Sequence, residues 1–169
     1  MAVPQIVTYP AAPILLRTAR AVPRIDRRVQ RLIRDMVETL HNDETGIGLA
    51  APQVGAGQRV IVIDIGQGPI VLVNPELCAA EGEQVGLEGC LSLPGLFGEV
   101  ARAAHVVVRG LDRHGQAITV EGENLLARVL QHEMDHLDGI LFIARLNAPT
   151  RLWQASELQA ARQEEGKSL

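Results

Sequence analysis

The clearest hydrophobic pattern of the chain lies between Ile25 and Leu40. Apolar residues recur there at intervals of three and four: Ile25, Val29, Leu32, Ile33, Met36, Val37 and Leu40. This spacing predicts an amphipathic α-helix over these residues. A second helix is predicted from about Glu123 to Leu137, with Gly139 as its C-terminal cap, and a third, with a weaker apolar stripe, from Thr150 to Glu165.

Between these helices, short runs rich in β-branched residues predict strands. Arg59–Ile65 and Ile70–Val73 are separated by a Gly/Pro turn and are predicted to pair. His105–Leu111 and Gln116–Glu121 flank the sequence DRHG, which is typical of a hairpin. Glu81–Gly98 is glycine-rich and is predicted to be irregular. Because the strands do not alternate strictly with helices, the pattern favours an α+β fold over a doubly wound parallel sheet.

Length and composition restrict the possible function classes. A chain of 169 residues is predicted to form one domain, residues 1–169, with a core and a cleft. The net charge of −4 gives no electrostatic reason to expect direct nucleic-acid binding, and 2% aromatic residues are too few for base stacking. No apolar stretch approaches the roughly 18 residues that span a bilayer, so no membrane partner is expected.

The N-terminal segment and the cysteines bear on the cellular compartment. The first 24 residues contain three arginines and no acidic residue, as a transit peptide does, but four prolines interrupt them. We therefore interpret this segment as an extended arm of the domain. Two cysteines do not indicate a disulfide-stapled secreted domain, and a reducing cytosol fits better. Cys78, in an apolar setting, is predicted to be a small core residue.

The second predicted helix carries a metal-binding pattern, His132-Glu133-Met134-Asp135-His136. His132 and His136 lie one turn apart on one helix face, so both imidazoles can reach the same cation. Glu133 lies about 100° round the helix from His132, within reach of a metal-bound water without being a ligand. This arrangement suits hydrolysis of a carbonyl compound. The alternative is an exposed polar helix turn.

A catalytic metal site also needs a third protein ligand and an open position. The metzincin pattern has a third histidine where this chain has Phe142, so that pattern fails. Thermolysin-like enzymes use a downstream glutamate, and Glu157 stands at a permissible spacing. Cys90 is the other candidate, because it lies among small residues and a thiolate binds borderline metals strongly. The residue types alone leave both candidates open.

Three segments together resemble the signature motifs of peptide deformylases. They are Gly46–Gln53 (GIGLAAPQ), Glu88–Ser92 (EGCLS) and Gln131–His136 (QHEMDH). Their order and spacing match, and the resemblance covers nearly the whole chain. It implies small antiparallel sheets packed around a central metal-binding helix, with a C-terminal helix. It also implies an enzyme that removes the formyl group from formylmethionyl peptides of newly made proteins and releases formate.

The resemblance further assigns the chemistry to particular residues. It implies that one divalent ion is bound by Cys90, His132 and His136. Glu133 would act as general acid and base, while the side-chain amide of Gln53 and the backbone N–H of Leu91 would stabilise the oxyanion. Ferrous iron is the ion that the resemblance implies in the native enzyme, and Zn²⁺, Ni²⁺ or Co²⁺ can replace it on ligand chemistry.

The second helix also predicts a recognition surface for substrate. Leu125 and Val129 share the face of His132 and His136, so an apolar substrate side chain can lie beside the metal. The alternative is that both are core residues. The resemblance makes this surface the pocket for the formylated methionine, with Ile47 on the opposite wall.

Glycines near the predicted site would let a peptide backbone approach and pair like an added strand. They are Gly46, Gly48 and Gly89. The resemblance also implies that Glu88 and Arg102 form a structural ion pair near the metal, without a direct catalytic role.

Partners and location follow from the resemblance as well. The implied partners are N-formylmethionyl nascent peptides, in a bacterial-type cytoplasm or an organelle, with transient proximity to the ribosome. Ribosome docking through the C-terminal tail is not favoured, because Arg151, Arg162 and Lys167 are balanced by nearby glutamates. Two rival hypotheses are a thermolysin-like peptidase that uses Glu157 and a metal-binding module without catalysis.

Overall fold

The structure, a computed structural model, describes residues 4–146 and 152–159. Two long helices, α1 (Arg27–His41) and α2 (Asn124–Leu137), lie in a framework of antiparallel strands. The strands are β1 (Gly48–Ala50), β2 (Val60–Ile63), β3 (Ile70–Glu81), β4 (Gln84–Cys90), β5 (Leu93–Arg102), β6 (His105–Leu111), β7 (Ala117–Glu123) and β8 (Leu152–Gln154). This is the α+β class that the sequence predicts.

The larger sheet has the strand order β1-β2-β3-β6-β7 and separates the two helices. Side chains alternate across it: Val60 and Val62 pack with α1, whereas Ile61 and Ile63 pack with α2. This two-sided burial explains why β2 reads as a continuous run of apolar residues. The helix α2 therefore lies on one face of the sheet and α1 on the opposite face.

The second sheet, with strand order β4-β5-β8, corrects one prediction. Glu81–Gly98, predicted to be irregular, supplies β4 and most of β5, which pair from Gln84 opposite Arg102 to Cys90 opposite Leu93. The prediction was wrong because glycines interrupt the alternation that a strand normally shows. Pairing between strands, which sequence periodicity does not report, stabilises this hairpin.

Helix α1 forms close to its predicted position. It begins two residues later than predicted, because the side chain of Asp26 caps it by accepting hydrogen bonds from the backbone N–H groups of Arg28 and Val29. Its buried face consists of Val29, Ile33, Met36, Thr39 and Leu40. The opposite face is exposed to solvent.

Helix α2 is the central helix, and its predicted bounds and cap are confirmed. Gly139 has φ +74°, and a Cβ there would lie 2.7 Å from the carbonyl carbon of Leu16. Only glycine fits here, because the backbone has a positive φ and lies directly against the backbone of the N-terminal arm. The arm is held to the helix by a hydrogen bond from the N–H of Ala19 to the carbonyl of Leu137, 2.7 Å long.

Two further predictions require correction. Cys78 is exposed rather than part of the core, because β3 extends past the region that the helices cover. The predicted helix Thr150–Glu165 does not include Leu152–Gln154, which form β8 and pair with β5; helical residues follow at 155–159. Residues 147–151 and 160–169 lie outside the described residues. None of the described helices is long and apolar enough to cross a membrane.

Candidate active site

Cys90 is positioned by the tight connection between β4 and β5. The strand pairing shifts register between Gly89 and Cys90, which turns the chain at the end of β4. Gly89 is required there, since a Cβ would lie 2.6 Å from the ring of Phe97. The turn brings the sulfur of Cys90 to 3.2 Å from Nε2 of His136.

The two histidines project from α2 toward the same point. Their ring centroids are 5.0 Å apart at an interplanar angle of 74°. The ligand atoms of Cys90, His132 and His136 all lie within 4.8 Å of one another, and this is the one cluster of metal-ligand side chains in the described parts of the chain. The structure therefore brings together the three ligands that the resemblance implies.

Glu157, the alternative ligand, lies outside this cluster. Its carboxylate accepts a hydrogen bond from the backbone N–H of Gln154 at 2.9 Å, at the start of the helical residues 155–159. This is a local contact with the backbone three residues earlier. The described residues therefore give no support to a thermolysin-like site.

Glu88 fixes the orientation of His132. Its Oε2 accepts a hydrogen bond from Nδ1 of His132 at 2.8 Å, so Nε2 is the nitrogen available to a metal. Arg102 donates to both carboxylate oxygens of Glu88, at 2.9 and 3.0 Å, and Arg128 donates to Oε1 at 2.8 Å. Burial acts to raise the pKa of Glu88, but the hydrogen bonds from Arg102 and His132 outweigh it and lower that pKa to about 2.

This ion pair is one part of a larger network that runs from the buried site to the exposed side chain of Arg145. Arg102 also donates to Asp135 at 2.6 Å, and Asp135 accepts from Arg145 at 2.6 Å. Sequence reasoning missed Arg128, Asp135 and Arg145. A signal was present for Arg128, because it interrupts the apolar run of α2 and a buried arginine needs an anionic partner.

Glu133 lies beside the ligands, with only 3% of its surface exposed. Its Oε2 has no hydrogen-bond partner among the described residues, and its Oε1 lies close to the backbone of Gly48. Burial raises the pKa of Glu133 to about 7. A carboxyl group with this pKa can accept and return a proton near neutral pH.

The side chain of Gln53 is held rigidly near Cys90. The backbone N–H of Ala50 donates to its Oε1 at 2.8 Å, which directs its Nε2 toward the sulfur of Cys90 at 3.5 Å. The N-terminal arm holds the same loop, since the N–H of Val7 donates to the carbonyl of Gln53 at 2.8 Å. An amide donor is thus fixed next to the metal ligands.

Burial and neighbouring charges shift the pKa values of the two histidines in opposite directions. Burial acts to lower the pKa of His132, but Cys90 and Glu88 outweigh it and raise that pKa to about 10. Burial and the neighbouring His132 lower the pKa of His136 well below its usual value, so this ring is neutral. A half-buried thiol, the neutral imidazole of His136 and the imidazole of His132, whose Nδ1 is held by Glu88, fit a divalent metal ion.

Cys90, His132 and Glu133 line a cavity of about 620 Å³. Every other predicted substrate or oxyanion residue reaches its wall: Ile47, Gly48, Gln53, Gly89, Leu91, Leu125 and Val129. Sequence reasoning missed further wall residues, which include Ile6, Asp43, Thr45, Pro94 and Phe97. Val129 is 5% exposed and Leu125 49% exposed, so the first also belongs to the core while the second borders the opening.

Comparison with known proteins agrees with this geometry. The family model of polypeptide deformylases matches residues 3–152. The chain belongs to this family. Polypeptide deformylases are metal-dependent enzymes that remove N-terminal formyl groups, and the chain is accordingly a hydrolase of protein maturation.

Individual deformylases support the assignment. The chain is 49% identical to the peptide deformylase of Desulfitobacterium hafniense over 151 residues, which cover 89% of this chain and 99% of that protein. It is 56% identical to that of Acetivibrio thermocellus over 129 residues, 76% of this chain and 75% of the relative.

Solved structures show the same fold. The deformylase from Thermotoga maritima matches with a TM-score of 0.83 at 38% identity, over 87% of this chain and 99% of that one. The deformylase from Ehrlichia chaffeensis, crystallised in complex with actinonin, matches with a TM-score of 0.83 at 35% identity, over 88% and 91% of the two chains.

Proposed function

We propose that this deformylase acts on formylmethionyl peptides of newly made proteins, with Cys90, His132 and His136 as metal ligands and Glu133 as general acid and base. One observation carries the proposal. The three ligand atoms lie within 4.8 Å of one another beside a buried carboxylate that has no hydrogen-bond partner among the described residues.

The roles of the side chains follow from their positions. A divalent ion bound here would polarise the formyl group and acidify water toward a pKa of about 7. Glu133, with a pKa of about 7, accepts the proton of the attacking water and delivers it to the departing amine. Glu88 keeps His132 in the tautomer that leaves Nε2 free.

The oxyanion of the tetrahedral intermediate needs fixed donors where charge develops. We assign this role to the side-chain amide of Gln53 and the backbone N–H of Leu91. Gln53 is supported by its hydrogen bond from Ala50, which leaves the NH₂ group directed toward the ligands. Leu91 follows Cys90 directly and lines the same cavity.

The substrate would bind as an extra strand in the cavity. Strands β1 and β4 are the outermost strands of their sheets among the described elements, and both contribute to the cavity wall. A peptide between them can form backbone hydrogen bonds near Gly48 and Gly89, while Ile47, Leu125 and Val129 surround the methionine side chain. This cavity would also be the binding place of actinonin.

The first experiment measures formate release from a formyl-Met tripeptide. We expect Glu133→Gln to lower kcat by about 100-fold or more while bound metal stays stoichiometric, because the general base is lost but the ligands are kept. The matched control is Glu99→Gln, which removes an exposed carboxylate from β5. A Glu133→Gln enzyme as active as the control would refute the proposed mechanism.

We further propose ferrous iron as the native ion, because a thiolate with two imidazoles accommodates iron as well as zinc, nickel or cobalt. Protein purified without oxygen should contain iron and should be more active than the same protein purified in air or loaded with zinc. Equal activities of the iron and zinc forms would argue against iron.

We place the enzyme in a bacterial-type cytoplasm, where its nascent substrates are made, with transient proximity to the ribosome. The bacterial origin of the relatives supports this location. Fractionation of the producing cells tests it: activity in a membrane or periplasmic fraction would contradict the proposal.

A further inference from the structure

Seven of the arginines of the chain are concentrated in one short region, residues 17–34. They are Arg17, Arg20, Arg24, Arg27, Arg28, Arg31 and Arg34, and all are exposed. None of them forms an ion pair with a described residue. Lysine is absent from this region, so every cation in it is a guanidinium.

The net charge of −4 conceals this distribution. Residues 17–38 contain seven arginines against three acidic residues, a net of +4, so the rest of the chain carries −8. The rest of the protein is negative and would repel a polyanion, so this positive region is where a polyanion would bind. The whole-chain charge therefore says nothing about what this region binds.

Helix α1 arranges the arginines as a surface. Arg27, Arg31 and Arg34 are three and four residues apart, so they form one stripe, and Arg28 flanks it. We call these four residues the α1 arginine face. The apolar face of the same helix is fully used in the core, where Val29, Ile33, Met36 and Leu40 are at most 3% exposed.

We propose that the α1 arginine face is a docking surface for the phosphate backbone of RNA. Guanidinium groups match phosphate oxygens with paired, charge-assisted hydrogen bonds. The 2% aromatic content argues against base stacking and predicts binding that depends on salt but not on base sequence. A lipid surface fits less well, because α1 has no free apolar side chains to insert between acyl chains.

The position of the face is compatible with catalysis while bound. The larger sheet separates α1 from α2, and none of the residues 17–38 lines the active-site cavity. If the proposed substrates are nascent peptides, they leave the ribosome next to ribosomal RNA, which would then be the RNA that is bound. This identification of the RNA rests on the proposed function, whereas RNA binding itself does not.

The test measures binding of a fluorescent RNA duplex of about 20 base pairs by anisotropy, at several salt concentrations. We expect the full chain to bind, and its affinity to fall steeply between about 50 and 200 mM salt. The triple variant Arg27→Gln, Arg31→Gln, Arg34→Gln should bind the duplex about tenfold or more weakly. The slope of log K against log salt concentration should become smaller in magnitude by about three. Its hydrolysis of a soluble formyl-Met peptide should equal that of the parent.

A matched pair of single variants controls for net charge. Arg31→Glu and Arg109→Glu change the charge equally, but Arg109 is an exposed residue of β6 and not a member of the α1 arginine face. Only Arg31→Glu should weaken RNA binding. The proposal is overturned if the parent does not bind the duplex at 50 mM salt, if both single variants behave alike, or if vesicles containing phosphatidylserine are bound more tightly than RNA. Normal peptide hydrolysis in any of these cases would leave the proposed function standing.

Discussion

At the scale of single residues, Gly48 leaves the space that the carboxylate of Glu133 occupies. A Cβ at position 48 would lie 2.4 Å from Oε1 of Glu133 and 2.8 Å from Cγ1 of Val129. Gly48→Ala should therefore displace the carboxylate and lower kcat by about 100-fold, since small displacements of a catalytic group have effects of that size. A stopped assay of formate release measures kcat, and metal analysis of the same sample measures the bound metal.

The matched control for this prediction is Gly57→Ala. A Cβ there would meet only Cδ1 of Ile14, at 3.9 Å, which is an ordinary contact. Its kcat should stay near that of the parent, and both variants should bind metal. Loss of metal from Gly48→Ala would show that the glycine supports the ligands rather than the base.

The buried carboxylate of Glu88 predicts a pH dependence of stability. Its pKa is about 2 in the folded protein against 4.5 ordinarily, so its stabilisation is complete above pH 4.5 and is lost as the pH falls through about 2. In metal-free protein, Glu88→Gln should lower the free energy of unfolding by about 3 kcal/mol at neutral pH.

Urea unfolding between pH 7 and pH 3 tests this prediction. The difference between the parent and Glu88→Gln should shrink once the pH falls below 4.5, because Glu88 becomes protonated in the unfolded chain first. Glu99→Gln, at an exposed position, should show almost no difference at any pH. A Glu88→Gln difference that is constant from pH 7 to pH 3 would contradict the assigned role.

At the scale of elements, Gln131 joins α2 to the chain between β5 and β6. Its side chain donates to the carbonyl of Ala103 and accepts from the N–H of the same residue, both at 3.0 Å. Gln131→Leu leaves the N–H of Ala103 without its partner, while the carbonyl keeps its hydrogen bond from Gln84, so we expect a loss of about 2 kcal/mol in the free energy of unfolding. Gln116→Leu, at an exposed site on the β6–β7 turn, should cost less than about 0.5 kcal/mol.

Elements defined by local patterns could be predicted, and elements defined by pairing could not. Helix α1 follows from its three-and-four periodicity, and β6 and β7 follow from β-branched runs around a turn sequence. Strands β4 and β8 lack such a local signature. They exist because β5 lies between them and pairs with both, which is information about distant segments.

At the scale of the whole molecule, a bound metal would join two parts of the fold. Cys90 ends a strand of the smaller sheet, whereas His132 and His136 belong to the helix packed on the larger one. A tightly bound ion should therefore stabilise the folded chain by about 4 kcal/mol, and its removal by a chelator should lower the Tm by about 10 °C. Differential scanning calorimetry before and after chelation measures the shift.

The two cysteines of this chain provide the control. Cys90→Ala should abolish the stabilisation by added metal, whereas Cys78→Ala should preserve it, because Cys78 is exposed and outside the ligand cluster. If Cys90→Ala retained the full metal-dependent shift in Tm, another residue would have to be the third ligand.

The site could be predicted only in part from the residues themselves. Helical spacing places His132, His136 and Glu133 together, because the two histidines are one turn apart on one face and Glu133 directly follows the first. The choice of Cys90 over Glu157 depended on the resemblance of three motifs, since no local rule states which distant loop returns to a helix. The network of Arg128, Asp135 and Arg145 was missed for the same reason, although Arg128 and Asp135 are charged residues of α2 itself.

The position of α2 in the chain has a consequence for the order of synthesis. All five strands of the larger sheet precede residue 124, and Glu133, His132 and His136 follow it. A growing chain can therefore complete that sheet while it still lacks the proposed base and two of the three proposed ligands. Translation must pass residue 136 before all three proposed ligands exist, so a nascent chain that ends earlier cannot hold a cation in this site.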